Sequence, residues 1–356
     1  MIKLDGIQIL RGLAALGVAL FHFHAVEGLY GPDQLTPAFF EYGRVGVDLF
    51  FVISGAIMMH VAGALPPGQV SSANFFLRRA ARIYPPYWVV TAGLVAVWFA
   101  SGKTIFDGII GEAPNLPASF ALWPTAREPA LGVGWTLIHE MYFYLVFALL
   151  LLAPVRLRAW LMAAWAAMVV AVWLSGVQGL APPLAVATSP LTLEFILGAA
   201  VMSLRPRVTP TLRRYIAAAG LLWLIAAIFW TGLAPGPDAF DDPMRRALAF
   251  GPAGALILLA VAAAPPQRRW PAAGIALGDW SYALYLVHVP VYAVLGAVWA
   301  KFAGPGLADN IIALAAFVAV AVAASSVFYR LIERPAQQLS HRFRIGPPRA
   351  ASATPG

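Results

Sequence analysis

The chain has 356 residues, of which 61% are hydrophobic and only 11% are charged, and it contains no cysteine. Soluble globular proteins carry roughly 25% charged residues, so this composition excludes a soluble domain. The missing cysteines exclude disulfides, thiolate metal sites and thiol nucleophiles. The formal net charge of +8 is expected of a membrane protein, whose cytoplasmic loops are rich in Lys and Arg. Nucleic-acid binding is not indicated, because the sequence has no soluble module with a basic, aromatic-rich surface.

Ten apolar segments approach the roughly 20 residues that a helix needs to cross a bilayer. The first is not expected to be a cleaved signal peptide, because Arg11, His22 and His24 interrupt it and no small-residue cleavage site follows. Loops 64–82 and 102–133 are the two long connections. In chain order the predicted spans are 8–26, 43–63, 83–101, 134–153, 157–176, 186–204, 214–232, 247–264, 278–299 and 308–331.

The distribution of basic residues predicts the orientation. With the N-terminus in the cytoplasm, 18 of the 24 basic residues fall on the cytoplasmic side. This bias alternates loop by loop and follows the positive-inside rule. We therefore expect an all-α polytopic protein of about ten transmembrane helices with both termini in the cytoplasm. Residues 1–340 would form one membrane domain and 341–356 a disordered tail. The six basic residues left outside are Arg44, Lys103, Arg127, Arg245, Arg246 and Lys301.

Ionisable side chains inside the bilayer are candidate functional residues, because each charge there costs at least about 2.5–3.5 kcal/mol. At a rise of about 1.5 Å per residue, groups from four different spans reach similar depths in the outer half of the bilayer. This agreement predicts one shared polar cavity. His24 points away from His22 and is expected to be structural. The candidates are His22, His24, Asp48, His60, His139, Glu140, Glu194 and His288.

Three further patterns add binding residues. Arg11 and His22 are eleven residues apart, which puts them on one helix face about 16 Å apart along the axis, as a long ligand with an anionic head would require. The basic patch around Arg78, Arg79 and Arg82, followed by Tyr84, is either a phosphate clamp or a membrane-interface anchor with belt aromatics.

The ninth span carries a polar face before a proline. Ser281, Tyr285 and His288 are spaced at i, i+4 and i+7 and therefore share one face. Pro290 disturbs the helix nearby. Cavity lining and interhelical packing explain this face equally well.

Six segments in order resemble landmarks of the membrane-bound acyltransferase family 3, and the resemblance covers residues 4–335. The fourth segment is most similar to the branch that acetylates exopolysaccharides. The segments are LDGIQILRGLAALGVALFH at 4–22, GVDLFFVISG at 46–55, FLRRAARIYP at 76–85, WTLIHEMYFY at 135–144, LGDWSY at 277–282 and YRLIERP at 329–335.

The resemblance implies a ten-helix enzyme of the bacterial inner membrane. It would take acyl groups, acetyl by default, from cytoplasmic acyl-CoA and pass them to hydroxyls of extracytoplasmic glycans or related acceptors. Arg11 and His22 match the family's essential pair, with His22 at the catalytic position. No permanently bound cofactor and no metal are expected. Where His139 stands, the family often has a small polar residue, which argues against a role for His139.

We hypothesise that His22 accepts the proton of the acceptor hydroxyl while Asp48 or Glu140 orients its imidazole. An acyl-histidine intermediate is the competing chemistry. Acyl-CoA would bind Arg11, Arg78, Arg79, Arg82 and Tyr84, and the expected cavity lining is Ser54, Trp135, Glu194, Tyr285 and His288. The alternatives are a proton-coupled transporter or exporter, whose repeat symmetry the sequence does not display, and a non-catalytic assembly subunit.

Overall fold

The computed structural model describes residues 5–63, 65–102, 114–233, 240, 242–265 and 267–340. Nine helical stretches in these ranges are long and apolar enough to cross a membrane, and Gly134–Leu150 is a shorter apolar helix of 17 residues. Each of the ten predicted spans coincides with one of them, so the all-α polytopic fold class is confirmed. The tail 341–356 lies outside the described residues, and the cytoplasmic location of the termini stays a prediction.

The described ranges contain fourteen α-helices, α1 to α14 in chain order. Short 3₁₀ segments at Ala38–Arg44 and Arg205–Arg207 and a π-helical segment at Tyr329–Glu333 connect some of them. The helices are α1 Asp5–Tyr30, α2 Val45–Gly63, α3 Gln69–Ala100, α4 Leu116–Ala121, α5 Gly134–Leu150, α6 Val155–Leu174, α7 Pro182–Ala187, α8 Thr192–Leu204, α9 Pro210–Leu233, α10 Pro243–Ala262, α11 Ala272–Asp279, α12 Ser281–Trp299, α13 Leu307–Phe328 and α14 Arg334–Ser340.

The third span begins much earlier than predicted, because α3 starts at Gln69 instead of residue 83. Most of the expected loop 64–82 is therefore helical. This part of α3 contains polar residues, so it does not form an apolar run that would predict a span. Its buried face carries Phe75, which stacks on Phe147 of α5 with ring centroids 6.5 Å apart. Pro85 and Pro86 lie inside this helix, as membrane helices tolerate. All the arginines of the predicted clamp consequently stand on one continuous helix.

The predicted sixth span is divided in two. Helix α7 ends at Ala187 and α8 begins at Thr192, with Pro190 in the connection. Proline at this point cannot supply an amide hydrogen to a continuing helix. Glu194 therefore lies in the first turn of α8 instead of deep inside a long helix.

Helices α2 and α8 approach each other at two glycines. A Cβ atom on Gly55 would lie 1.9 Å from the carbonyl oxygen of Phe195, and one on Gly198 would lie 1.8 Å from that of Val52. Both separations are far below van der Waals contact, so neither position has room for a side chain. Small residues at helix crossings allow such close backbone packing in membranes, and this crossing brings the start of α8 beside the start of α2.

Helix α3 runs antiparallel to α5 and also holds the short helix α4. Ser72 Oγ donates to the carbonyl oxygen of Ala148 at 2.6 Å. Further along α3, Tyr84, Tyr87 and Trp88 donate to carbonyl oxygens of residues 121, 119 and 120 at 2.7, 2.8 and 2.8 Å. Part of the predicted 102–133 loop thus packs against the middle of α3, beside the arginines.

Candidate active site

A cavity lies between α1, α2, α3, α5 and α12. Its apolar walls come mainly from α2, and its charged and hydroxyl-bearing side chains come from the other helices and from Ser54. The lining residues are Arg11, Val47, Phe50, Phe51, Ile53, Ser54, Ile57, Arg79, Arg82, Ile83, Thr136, Leu137, Glu140, Tyr144, Tyr282 and Tyr285.

Positive charge is in excess in this cavity. Three arginines, Arg11, Arg79 and Arg82, line it together with one carboxylate, Glu140. A second carboxylate, Glu333, interacts with Arg82 and Arg11 from behind, so one formal positive charge is left in excess. Within the described ranges none of these arginines forms an ion pair. Arg79 instead lies 5.7 Å from the ring centre of Tyr144. Unpaired guanidinium groups in a confined space suit an anionic ligand, and phosphate oxygens match their geometry.

Glu140, a lining residue of the cavity, has its own hydrogen-bond partners. Its Oε1 atom accepts from Ser54 Oγ at 2.8 Å and from the hydroxyl of Tyr144. Tyr144 follows Glu140 by four residues, so both side chains lie on one face of α5. No role was predicted for Tyr144, although its spacing from Glu140 indicates one.

Glu333 lies behind the arginines and was also missed. Its side chain is fully buried and accepts from the amide of Ala283 in the first turn of α12 at 3.1 Å. Arg82 and Arg11 are the cations that interact with it electrostatically. A carboxylate at a helix N-terminus is favourable, so Glu333 connects α12 to the arginine side of the cavity. The available signal was a carboxylate in YRLIERP, the last of the six segments that carry the resemblance.

Two histidines, His22 of α1 and His288 near the middle of α12, lie in contact. His22 Nδ1 lies 2.9 Å from the carbonyl oxygen of Val18 and 3.2 Å from Nε2 of His288. His288 Nδ1 lies 2.8 Å from the carbonyl oxygen of Leu284. The ring centres are 4.8 Å apart, and His288 is fully buried while His22 is partly exposed.

Neither histidine lines the cavity, but ring contacts connect them to it. Tyr285, a lining residue, lies 6.0 Å from His288 and 6.0 Å from Phe50, measured between ring centres. The Tyr285 hydroxyl is 2.8 Å from Thr136 Oγ1. These side chains form a wall between the arginine cavity and the histidine pair.

Asp48 belongs to a third group of polar residues. Its carboxylate accepts from Arg246 Nε at 2.7 Å and from Arg246 Nη2 at 2.9 Å, and both residues are buried. Glu194 is fully buried beside them and interacts with Asp48. Arg246 directly precedes the predicted span 247–264, and the structure has it in the first turn of α10. A helix from Pro243 to Ala262 extends the predicted span by one turn and carries Arg246 to Asp48.

Some of the predicted site residues therefore line this cavity, and others lie outside its lining. Predicted residues that line the cavity are Arg11, Ser54, Arg79, Arg82, Glu140 and Tyr285. Those outside its lining are His22, Asp48, Arg78, Tyr84, Trp135, Glu194 and His288. Depth along the membrane was a correct guide for His22 and His288, which touch. It does not produce the one shared cavity that we expected, because the titratable groups form three clusters on different helix faces.

Other predicted residues have identified neighbours. Arg78 is exposed on α3, and the Tyr84 hydroxyl donates to α4. Trp135 lies under the guanidinium of Arg246 at 5.9 Å. His24, expected to be structural, lies 2.7 Å from Thr36 Oγ1 through its Nδ1 atom. The functional roles predicted for these residues stay predictions.

Comparison with known proteins adds independent information. Residues 4–330 match the protein family described as "Acyltransferase domain". The chain is 31% identical over 330 residues to "Exopolysaccharide production protein ExoZ" of Rhizobium meliloti (strain 1021), covering 88% of this chain and 93% of that protein. It is 27% identical over 389 residues to "Acyltransferase MdmB" of Streptomyces mycarofaciens, covering 97% and 94%. No solved structure matches the chain.

Proposed function

Because the chain belongs to the acyltransferase family 3 and is a multi-pass membrane acyltransferase, we propose that it transfers an acyl group from cytoplasmic acyl-CoA to a hydroxyl of an extracytoplasmic glycan. The observation that carries the donor assignment is the excess of guanidinium groups in the cavity. Coenzyme A is a phosphorylated anion on a long, thin arm. Its phosphates fit Arg11, Arg79 and Arg82, and its arm fits the apolar walls from α2.

The acceptor assignment rests on the relatives. ExoZ is named for exopolysaccharide production and MdmB as an acyltransferase. A glycan assembled outside the membrane would approach from the side opposite to the arginines, where His22 lies on α1. His22 is eleven residues, or about 16 Å, further along that helix than Arg11. A bacterial inner-membrane location follows from this proposal.

In the proposed reaction, the hydroxyl oxygen attacks the thioester carbonyl carbon, the new C–O bond forms and the C–S bond breaks. Nε2 of His22 takes the hydroxyl proton, and the imidazolium then gives this proton to the departing CoA thiolate, which leaves as the free thiol. General-base catalysis of this kind contributes roughly 10²–10⁴-fold to the rate. For the thioester to reach His22, the acyl end must pass the wall at Tyr285 and Phe50.

Neither carboxylate proposed to orient His22 contacts it in the part of the chain described. Asp48 is paired with Arg246, and Glu140 accepts from Ser54 and Tyr144. Glu140 is better placed to act on the donor, because it stands among the arginines. We assign it to keeping Arg11 and Arg79 spaced around the thioester arm.

Proteoliposomes holding the purified protein test the function. They are given radiolabelled acetyl-CoA and the exopolysaccharide fraction of the host cell, and label in the polysaccharide is counted. Wild-type protein should transfer label, and His22→Ala should reduce transfer to background. His24→Ala is the matched control on the same helix and should keep transfer within a few-fold. Transfer by His22→Ala at the wild-type rate would contradict the proposal.

A further inference from the structure

The hydrogen bonds of His288 determine which of its nitrogens carries hydrogen. Its Nδ1 atom faces the carbonyl oxygen of Leu284 at 2.8 Å. A carbonyl oxygen can only accept, so Nδ1 must be the protonated nitrogen. In the neutral ring, Nε2 then carries a lone pair. This lone pair points at His22.

The same reasoning fixes the tautomer of His22. Its Nδ1 atom has two acceptors within reach, the carbonyl oxygen of Val18 at 2.9 Å and Nε2 of His288 at 3.2 Å. Nδ1 of His22 must therefore carry the hydrogen, shared between them. Nε2 of His22 is left with the lone pair that a base needs.

We propose that His288 is the positioning residue for His22, holding its imidazole in the tautomer with a basic Nε2 through the Nδ1–H···Nε2 hydrogen bond. This deepens the proposed function and rests on it. An aspartate has this position beside the histidine of a serine-protease triad. Here the acceptor is a second imidazole.

An imidazole suits this place because of its surroundings. His288 is fully buried, and its neighbours include Tyr285 and Tyr292, whose ring centres are both 6.0 Å away. A carboxylate in this apolar shell would be a buried charge, which is costly. A neutral imidazole accepts the same hydrogen bond without that charge. When His22 becomes protonated during transfer, the bond becomes charge-assisted and stronger.

Nitrogen NMR of protein labelled with ¹⁵N-histidine tests the tautomer without reference to activity. The His22 signals are identified by their absence from His22→Ala. Wild-type His22 should have hydrogen on Nδ1. His288→Phe should shift the Nδ1 signal and raise the share of the Nε2–H tautomer, because the Val18 carbonyl is then the one acceptor left of the two. A wild-type His22 with hydrogen on Nε2, or one unchanged by His288→Phe, would overturn the proposal. This result stands even if acetyl transfer itself is not observed.

Transfer rates supply the second measurement. His288→Phe should lower kcat by roughly 10²-fold and leave KM for acetyl-CoA unchanged. His288→Gln keeps an acceptor oxygen near the position of Nε2 and should retain a clearly larger share of kcat. Tyr292→Phe, a neighbouring conservative change, is the packing control and should keep kcat within a few-fold. Equal losses from the Phe and Gln variants would show that His288 only packs, and the proposal would fail.

Discussion

The pairing of Asp48 with Arg246 can be tested by breaking it from either side. Both side chains are buried, at 0% and 7% exposure, and two hydrogen bonds of 2.7 and 2.9 Å join them. Removing one partner of such a pair leaves an uncompensated buried charge and costs about 3–5 kcal/mol. Asp48→Leu and Arg246→Met should each lower the free energy of unfolding by about that amount.

The double variant Asp48→Leu/Arg246→Met should recover most of this loss, because an apolar pair leaves no charge behind. Glu194→Gln is the matched control. Glu194 is equally buried beside Asp48, but within the described residues its side-chain oxygens accept no hydrogen bond, so its change should cost less than about 1 kcal/mol. Thermal unfolding in detergent micelles, followed by tryptophan fluorescence, measures all four variants.

The result also decides what Asp48 does. If the ion pair serves to join α2 to α10, the double variant should be stable and transfer acetyl groups. A stable double variant without transfer would instead support the predicted catalytic role of Asp48. Single variants that unfold at the wild-type temperature, or a double variant no more stable than the weaker single one, would refute the energetic reasoning.

Two further predictions concern the cavity and the helix crossing. Arg82→Ala should raise KM for acetyl-CoA several-fold, because a phosphate contact is lost. Arg78 is exposed, so Arg78→Ala should change this KM little. Equal KM values for Arg82→Ala and wild type would favour the interface-anchor interpretation. Gly198→Leu should strongly reduce the yield of folded protein, because its Cβ atom would already meet the carbonyl oxygen of Val52 at 1.8 Å, whereas Gly93→Leu, with nothing within 4 Å, should fold normally. Size-exclusion profiles and expression yields compare the glycine variants, and a normal profile for Gly198→Leu would contradict the crossing geometry.

Hydropathy predicted where the long apolar helices lie, because apolar length is a local property of the sequence. The start of α3 was missed because its first turns are amphipathic, with Phe75 on one face and polar residues on the others. The meeting of His22 and His288 was indicated by their depths, which follow from counting residues along each helix. Depth is only one coordinate, however.

The rotation of each helix and its neighbours decide which groups meet at a given depth. Asp48 is at a depth that suggested contact with His22, yet its face turns towards α10. Arg246 could not be identified as its partner, because it lies near the end of a predicted span and 198 residues away in the sequence. Glu140 and Tyr144 are the opposite case. They are four residues apart on one helix, so the sequence alone is enough to predict that their side chains meet.

The separation between Asp48 and Arg246 has a consequence for biogenesis. A ribosome adds about 5–20 residues per second, so the carboxylate on the second helix is made roughly 10–40 s before the arginine that will neutralise it. During this interval the Asp48 carboxylate has no arginine partner. It must therefore stay out of the lipid, inside the translocon or beside an insertase. Ribosomes stalled between these two residues should therefore leave a chain that membrane quality-control proteases recognise.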